Sequence, residues 1–106
     1  MKLEKLIATR MREAREEVGL TQEALGVLAG IDEATAKVRI NQYENGRHTP
    51  PLSMIEKIAS VLGKPATWFI CEDEAKELLL LLNELPATDR PEGIKKAVVA
   101  LKSRTT

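Results

Sequence analysis

Residues 30–50 of the chain read GIDEATAKVRINQYENGRHTP. Wound as a helix at about 100° per residue, residues 33–45 put Ala36, Ile40 and Tyr43 on one side, with Glu44 beside them. The opposite side carries Ala34, Thr35, Val38, Asn41, Gln42 and Asn45, and Lys37 and Arg39 stand on its two flanks. Arg47 and His48 follow directly. This outward face holds amides and small side chains, has cations at its edges and contains no acid. That is the chemistry of a DNA major-groove reader. Asn and Gln pair bidentately with adenine, Thr and Val meet the thymine methyl, and flanking cations reach phosphate or guanine. The alternative is a polar surface helix, but such a helix usually carries Glu/Lys pairs, as residues 3–18 do. On the groove reading, Thr35, Val38, Asn41 and Gln42 are candidates for base edges, and Lys37 and Arg39 for phosphate or guanine. Gln22 opens the preceding helix, where free N–H groups and the positive dipole end favour a phosphate.

Little else in the chain suggests chemistry. His48 is the only histidine and Cys71 the only cysteine, and no glycine-rich loop is placed to cradle a phosphate. No catalytic site, metal site or cofactor is expected. A single cysteine cannot form an internal disulfide, which suits a reducing cytosol. The N-terminal MKLEKLIATR threads charges through its apolar residues, unlike a signal peptide. The longest apolar run, residues 78–82, falls far short of the roughly 20 residues a membrane helix needs. The expectation is a cytoplasmic protein with no membrane partner. With 16 basic and 16 acidic residues the net charge is zero. That argues against indiscriminate polyanion binding and makes local placement decisive. Glu72, Asp73, Glu74 and Glu77 cluster past the middle, whereas Lys37, Arg39, Arg47 and His48 gather in or just after the outward-facing helix.

The elements that must position this face are helices. Hydrophobic residues make up 43% of the 106-residue chain and only three residues are aromatic, so the core is aliphatic and the composition favours helix. Leu3, Ile7, Met11, Ala14 and Val18 form one stripe, closed by Gly19. Thr21 is placed to N-cap a second helix over residues 22–29, with Leu25 and Leu28 inward. Asp32 is placed to cap a third, which stops at Gly46. Pro50 and Pro51 open a fourth, to residue 62, with Leu52, Ile55, Ala59 and Leu62 inward. Trp68, Phe69 and Ile70 then read as a core lid over the first and fourth helices, or as a dimer contact. A further helix runs from residues 72–74 to 85 and breaks at Pro86. Residues 89–93 are expected as a loop or frayed turn and residues 94–102 as a last helix.

LTQEALGVLAGI, then INQYENGRHTP, then LSMIEKIASVLGKPATWFI together resemble the Cro/repressor (Xre-type) helix-turn-helix family, over about residues 5–72. The resemblance implies an all-α fold: a lambda-repressor-like five-helix domain over residues 1–72, followed by a C-terminal helical hairpin over residues 73–106. It implies that helix 33–45 enters the major groove, that Gln22 touches a phosphate, and that the Arg47–His48 loop grips the backbone. It also implies a structural ion pair, Arg15 with Glu44, tying the first helix to the end of the third. Two positions depart from the pattern. Gly26 stands where the family usually has Ala. The segment from Gly30 to Ile40 is four residues longer than usual, about one helical turn, placed either in the recognition helix or in the loop before it.

In the hairpin, Leu78, Leu79, Leu82 and Leu85 make one stripe, widened by Leu80 and Leu81, and Ile94, Ala97, Val98 and Leu101 make another. A helix apolar over most of its circumference is buried on more than one side. Leu78, Leu79, Leu82, Leu85, Ile94, Val98 and Leu101 are therefore expected at a homodimer interface, with an intramolecular cap as the alternative. The function expected is a sequence-specific DNA-binding transcriptional regulator, a repressor of phage or bacterial type, with double-stranded DNA as its partner. The alternative is an antitoxin-like interaction protein whose C-terminal helices bind a protein partner.

Overall fold

In the computed structural model, which describes residues 2–103, the order is α1 (Lys2–Val18), α2 (Gln22–Leu28), α3 (Glu33–Glu44), α4 (Leu52–Leu62), a 3-10 turn (Ala66–Phe69), α5 (Asp73–Glu84), a second 3-10 turn (Ala87–Asp89) and α6 (Arg90–Ser103). No strand occurs among the described residues. The fold is all-α, and the expected fifth helix of the N-terminal domain is the single 3-10 turn. The chain divides between Cys71 and Glu72 into two compact units. No helix among the described residues is long and apolar enough to cross a membrane.

The N-terminal unit packs α1, α2, α3, α4 and the first 3-10 turn around Met11, Ala14, Leu25, Ala36, Ile40, Ile58 and Phe69, all close to fully buried. Trp68 and Phe69 meet edge-to-face, centroids 5.1 Å apart, and both are buried between α1 and α4, as the core-lid reading requires. The Trp68 ring has the Arg10 guanidinium 5.3 Å from its centroid and the Lys64 ammonium at 5.2 Å. Arg10 is buried, and its guanidinium donates to the Trp68 carbonyl. A buried guanidinium needs such donors and faces satisfied.

Five expected core positions lie in solvent, Ile70 of the lid among them. Leu3 and Val18 sit at the ends of α1, beyond the reach of its neighbours. Leu28 is 61% exposed, and Ala29 and Ile31 are buried beside Leu25 in its place. Leu52 is 79% exposed in the first turn of α4, while Ile58 fills the core. The apolar stripe of a helix is buried only along the length its neighbours overlap.

Gly26 is where α2 and α3 come closest. A Cβ there would stand 2.7 Å from the Ala36 Cβ and 3.0 Å from both its Cα and its carbonyl oxygen. The backbone of α3 fills the space that Ala would occupy. Gly26→Ala gains about 1 kcal/mol of helix propensity, but overpacking against backbone costs about 1–3 kcal/mol. The expected outcome is a net loss of about 1 kcal/mol, read as a lower urea midpoint at unchanged slope. A midpoint that rises would mean that α3 yields freely.

In the C-terminal unit, α6 begins at Arg90, four residues before the expected start. Pro91 lies in its first turn, where a missing N–H costs no helical bond. Arg90 holds the junction, its guanidinium donating to the carbonyls of Leu85 (3.1 Å) and Asn83 (3.2 Å) at the end of α5. These are carbonyls a helix end leaves without partners. A Cβ at Gly93 would meet Leu85 Cδ1 at 2.7 Å, so the two helices touch there. No residue between 72 and 103 is fully buried. Leu79 and Leu82 are half-buried, and Leu78, Leu85, Ile94, Val98 and Leu101 are exposed. Leu78, Leu81, Leu82, Glu84, Leu85, Gly93 and Ala97 line a largely apolar concavity of about 510 Å³.

Candidate nucleic-acid interface

The scaffold of the site is the α2–turn–α3 unit. Thr21 caps α2, its hydroxyl oxygen accepting from the Ala24 N–H at 3.0 Å. Asp32 occupies the capping position of α3, but its side chain makes no cap. Instead its carbonyl accepts from the Thr35 N–H (3.0 Å) and the Thr35 hydroxyl (3.3 Å). α3 starts at Glu33, after only a short turn from α2. The four additional residues therefore lengthen the recognition helix and not the loop before it. One whole turn leaves the facing of everything after it unchanged, so Ala36, Ile40 and Tyr43 are all buried.

The far end of α3 is anchored from below. Arg15 meets Glu44 in a bidentate pair, Nε–Oε2 at 2.7 Å and Nη2–Oε1 at 3.0 Å. Its third donor goes to the Leu20 carbonyl at 2.8 Å. The side chains are only 12% and 4% exposed. The hydrogen bonds to Glu44 raise the Arg15 pKa above its ordinary value, so the guanidinium stays charged throughout the working pH range. Gln22 joins the cluster, its amide donating to Glu44 Oε1 at 3.2 Å. This sets Gln22 beside α3 although it belongs to α2.

Gln22, Lys37, Val38, Asn41, Gln42, Asn45 and Arg47 line one concavity of about 560 Å³. Arg39, Gln42, Tyr43, His48 and Thr49 line a second, of about 360 Å³. Six of the nine candidates thus share the first concavity. Arg39 and His48 share the second, and Gln42 borders both. Thr35 lines neither: it sits in the first turn of α3 with its hydroxyl turned back to Asp32. Val38 is 60% exposed on the wall of the first concavity. Neither wall carries an acid, although the chain as a whole is neutral.

The residue missing from the candidates is Asn45. Its amide nitrogen donates to Asn41 Oδ1 at 3.2 Å, and its own oxygen accepts from the Arg47 N–H at 3.0 Å. The signal was present in the sequence, since Asn45 lies one turn beyond Asn41 on the outward face. Gly46 follows at φ 78, the left-handed conformation that glycine adopts without a Cβ penalty. There the chain folds back so that the Arg47 N–H also reaches the Gln42 carbonyl, at 3.0 Å.

Comparison with known proteins places this arrangement. The helix-turn-helix family model matches residues 11–69. An uncharacterised HTH-type transcriptional regulator from Methanothermobacter thermautotrophicus is 41% identical over 56 residues, which is 53% of this chain and 75% of the relative. The crystal structure of the transcriptional regulator BswR is similar with a TM-score of 0.71 at 37% identity, covering 92% of this chain and 92% of that one. The family match runs through every element that builds and anchors the outward face of α3, and the chain belongs to the helix-turn-helix family of DNA-binding regulators.

Proposed function

We propose that the protein is a sequence-specific transcriptional repressor of phage or bacterial type, which lays α3 in the major groove and binds a two-fold operator as a homodimer. The observation that carries this reading is the acid-free concavity on α3, where amides, an exposed valine and two cations converge. Asn41 and Gln42 present amides to base edges, and Val38 presents methyl groups to thymine. Lys37, Arg39, Arg47 and His48 lie around them as phosphate or guanine contacts, and Gln22 is held at the rim by Glu44. Thr35 stands nearer the front of α3, as a base contact at the edge of the site. The dimer is assigned to Leu78, Leu79, Leu82, Leu85, Ile94, Val98 and Leu101, because the C-terminal unit buries none of them fully by itself. Two reading heads on one dimer suit half-sites about one DNA turn apart.

Selection from a random duplex pool, with affinity followed against salt, tests this reading. A palindromic motif with a steep salt slope is expected. Binding without any enriched motif would remove the reader role and turn attention to the hairpin as a protein-binding surface of antitoxin type. Gln42→Ala is expected to weaken operator binding by about 1–3 kcal/mol and to relax base preference at one position per half-site. Equal weakening on every sequence would show that Gln42 does not read a base.

A further inference from the structure

We infer that Asn45 is a positioning residue that turns Asn41 into a reader of hydrogen-bond acceptors on a purine edge. The inference rests on the groove-reading function proposed above and names the base chemistry one of its readers sees. A chain of donors and acceptors sets the orientation. The Arg47 N–H lies 3.0 Å from Asn45 Oδ1. A backbone N–H can only donate, so the atom of Asn45 facing it is its oxygen. The Asn45 amide nitrogen is then the end that faces Asn41, and it donates at 3.2 Å. Asn41 answers with Oδ1. Its oxygen is held along the helix towards Asn45, and its NH2 group is the end left for a base.

Bidentate pairing with adenine needs an amide to offer an oxygen to N6 and an N–H to N7 together. Asn45 takes one of the two lone pairs of the Asn41 oxygen and holds that oxygen along the helix, so the side-by-side presentation of oxygen and N–H that adenine needs is disfavoured. An outward NH2 matches guanine instead, whose major-groove edge presents two acceptors, N7 and O6. Gln42 differs. Its side-chain amide has no hydrogen-bond partner among the described residues, and both of its ends stay available for adenine. Two adjacent amides that look alike in sequence are thereby made unlike by the residue one turn on. Asn45 also holds the Arg47 N–H, so the same side chain joins a base reader to a cation of the phosphate-gripping loop.

The test is the random-pool selection run with four full-length proteins: the natural chain, Asn41→Ala, Asn45→Asp and Asn45→Ala. Asn41→Ala marks the position that Asn41 reads. At that position the natural chain is expected to prefer guanine by about tenfold, within the range one good base contact commands. Asn45→Asp keeps the oxygen that faces Arg47 and replaces the donor with an acceptor. Asn41 then turns over to donate, and its outward oxygen meets the amino group of adenine or cytosine. The guanine preference should give way to one of those bases, with all other positions unchanged. The added negative charge weakens binding to every sequence and does not enter the ratio. Asn45→Ala should level the preference at that position. An Asn45→Asp motif identical to the natural one, only weaker throughout, would reduce Asn45 to a helix cap. A natural motif without guanine at the Asn41 position overturns this inference alone. No motif at all overturns the groove reading and this inference with it.

Discussion

Glu44→Ala is expected to destabilise the N-terminal unit by about 3–5 kcal/mol, the cost of leaving a buried guanidinium without its partner. Arg15 is 12% exposed and spends two of its donors on Glu44. Without the carboxylate the Leu20 carbonyl is its one remaining hydrogen-bond partner among the described residues, and the Gln22 amide loses its acceptor as well. Small domains have about 5–15 kcal/mol in total, so the loss takes the unit close to its unfolding threshold. Urea unfolding followed by far-ultraviolet circular dichroism measures it. The pair itself is not the source of the stability. Replacing both partners with Leu should cost much less than removing one, because a packed apolar pair needs no desolvation. The exposed Arg12–Glu16 pair on α1 is the control: losing it should cost about 0.5 kcal/mol or less. A Glu44→Ala loss as small as that of Arg12→Ala would show that Arg15 simply swings into water. On the proposed function the consequence reaches further than the fold, since the pair anchors the end of α3 and holds Gln22 beside it.

Charging the hairpin is expected to separate the two reading heads. Leu78 and Val98 are 41% and 42% exposed and stand on α5 and α6 respectively. Leu78→Glu together with Val98→Glu should therefore leave the chain folded while forbidding an apolar contact between copies. Sedimentation should give a monomer. Affinity for a two-fold operator should fall by about 10²–10⁴, because the second half-site is no longer bound at high effective concentration, while affinity for a single half-site stays as it was. A chain ending at Cys71, which keeps the N-terminal unit with its own core, should be monomeric too. A dimer in either case would place the interface on the helix-turn-helix unit.

Much of the fold was legible because helix periodicity and capping are local. The 3.6-residue pattern in residues 33–45 put Ala36, Ile40 and Tyr43 on the buried side, and they are buried. Thr21 caps where its position said it would. The Arg15–Glu44 pair was implied by resemblance and is formed at hydrogen-bonding distance. Periodicity, however, reports only a direction around a helix axis. It does not say where along that axis a neighbour stops, and so Leu28 and Leu52 read as core and lie in solvent. The start of α6 differs for a related reason: residues 89–93 read as a loop or frayed turn, yet α6 begins at Arg90, because a proline in the first turn interrupts no helical bond.

The sequence by itself determined the helix order, the side of α3 that faces outward, the amide-and-cation character of that side and the family to which these belong. The first three follow from residue type and spacing along single elements, and the family from a resemblance spread over about residues 5–72. Only the tertiary structure decided what depends on two elements meeting or on which atom faces which. It put the additional turn inside α3, buried Arg10 against Trp68, drew Gln22 to Glu44, and set Gly26 so close to Ala36 that no Cβ fits. It also linked Arg47, Asn45 and Asn41 into one directed chain. Asparagine carries a donor and an acceptor of nearly equal size. Its letter in a sequence says that both are present, and only its neighbours in space say which one is turned outward.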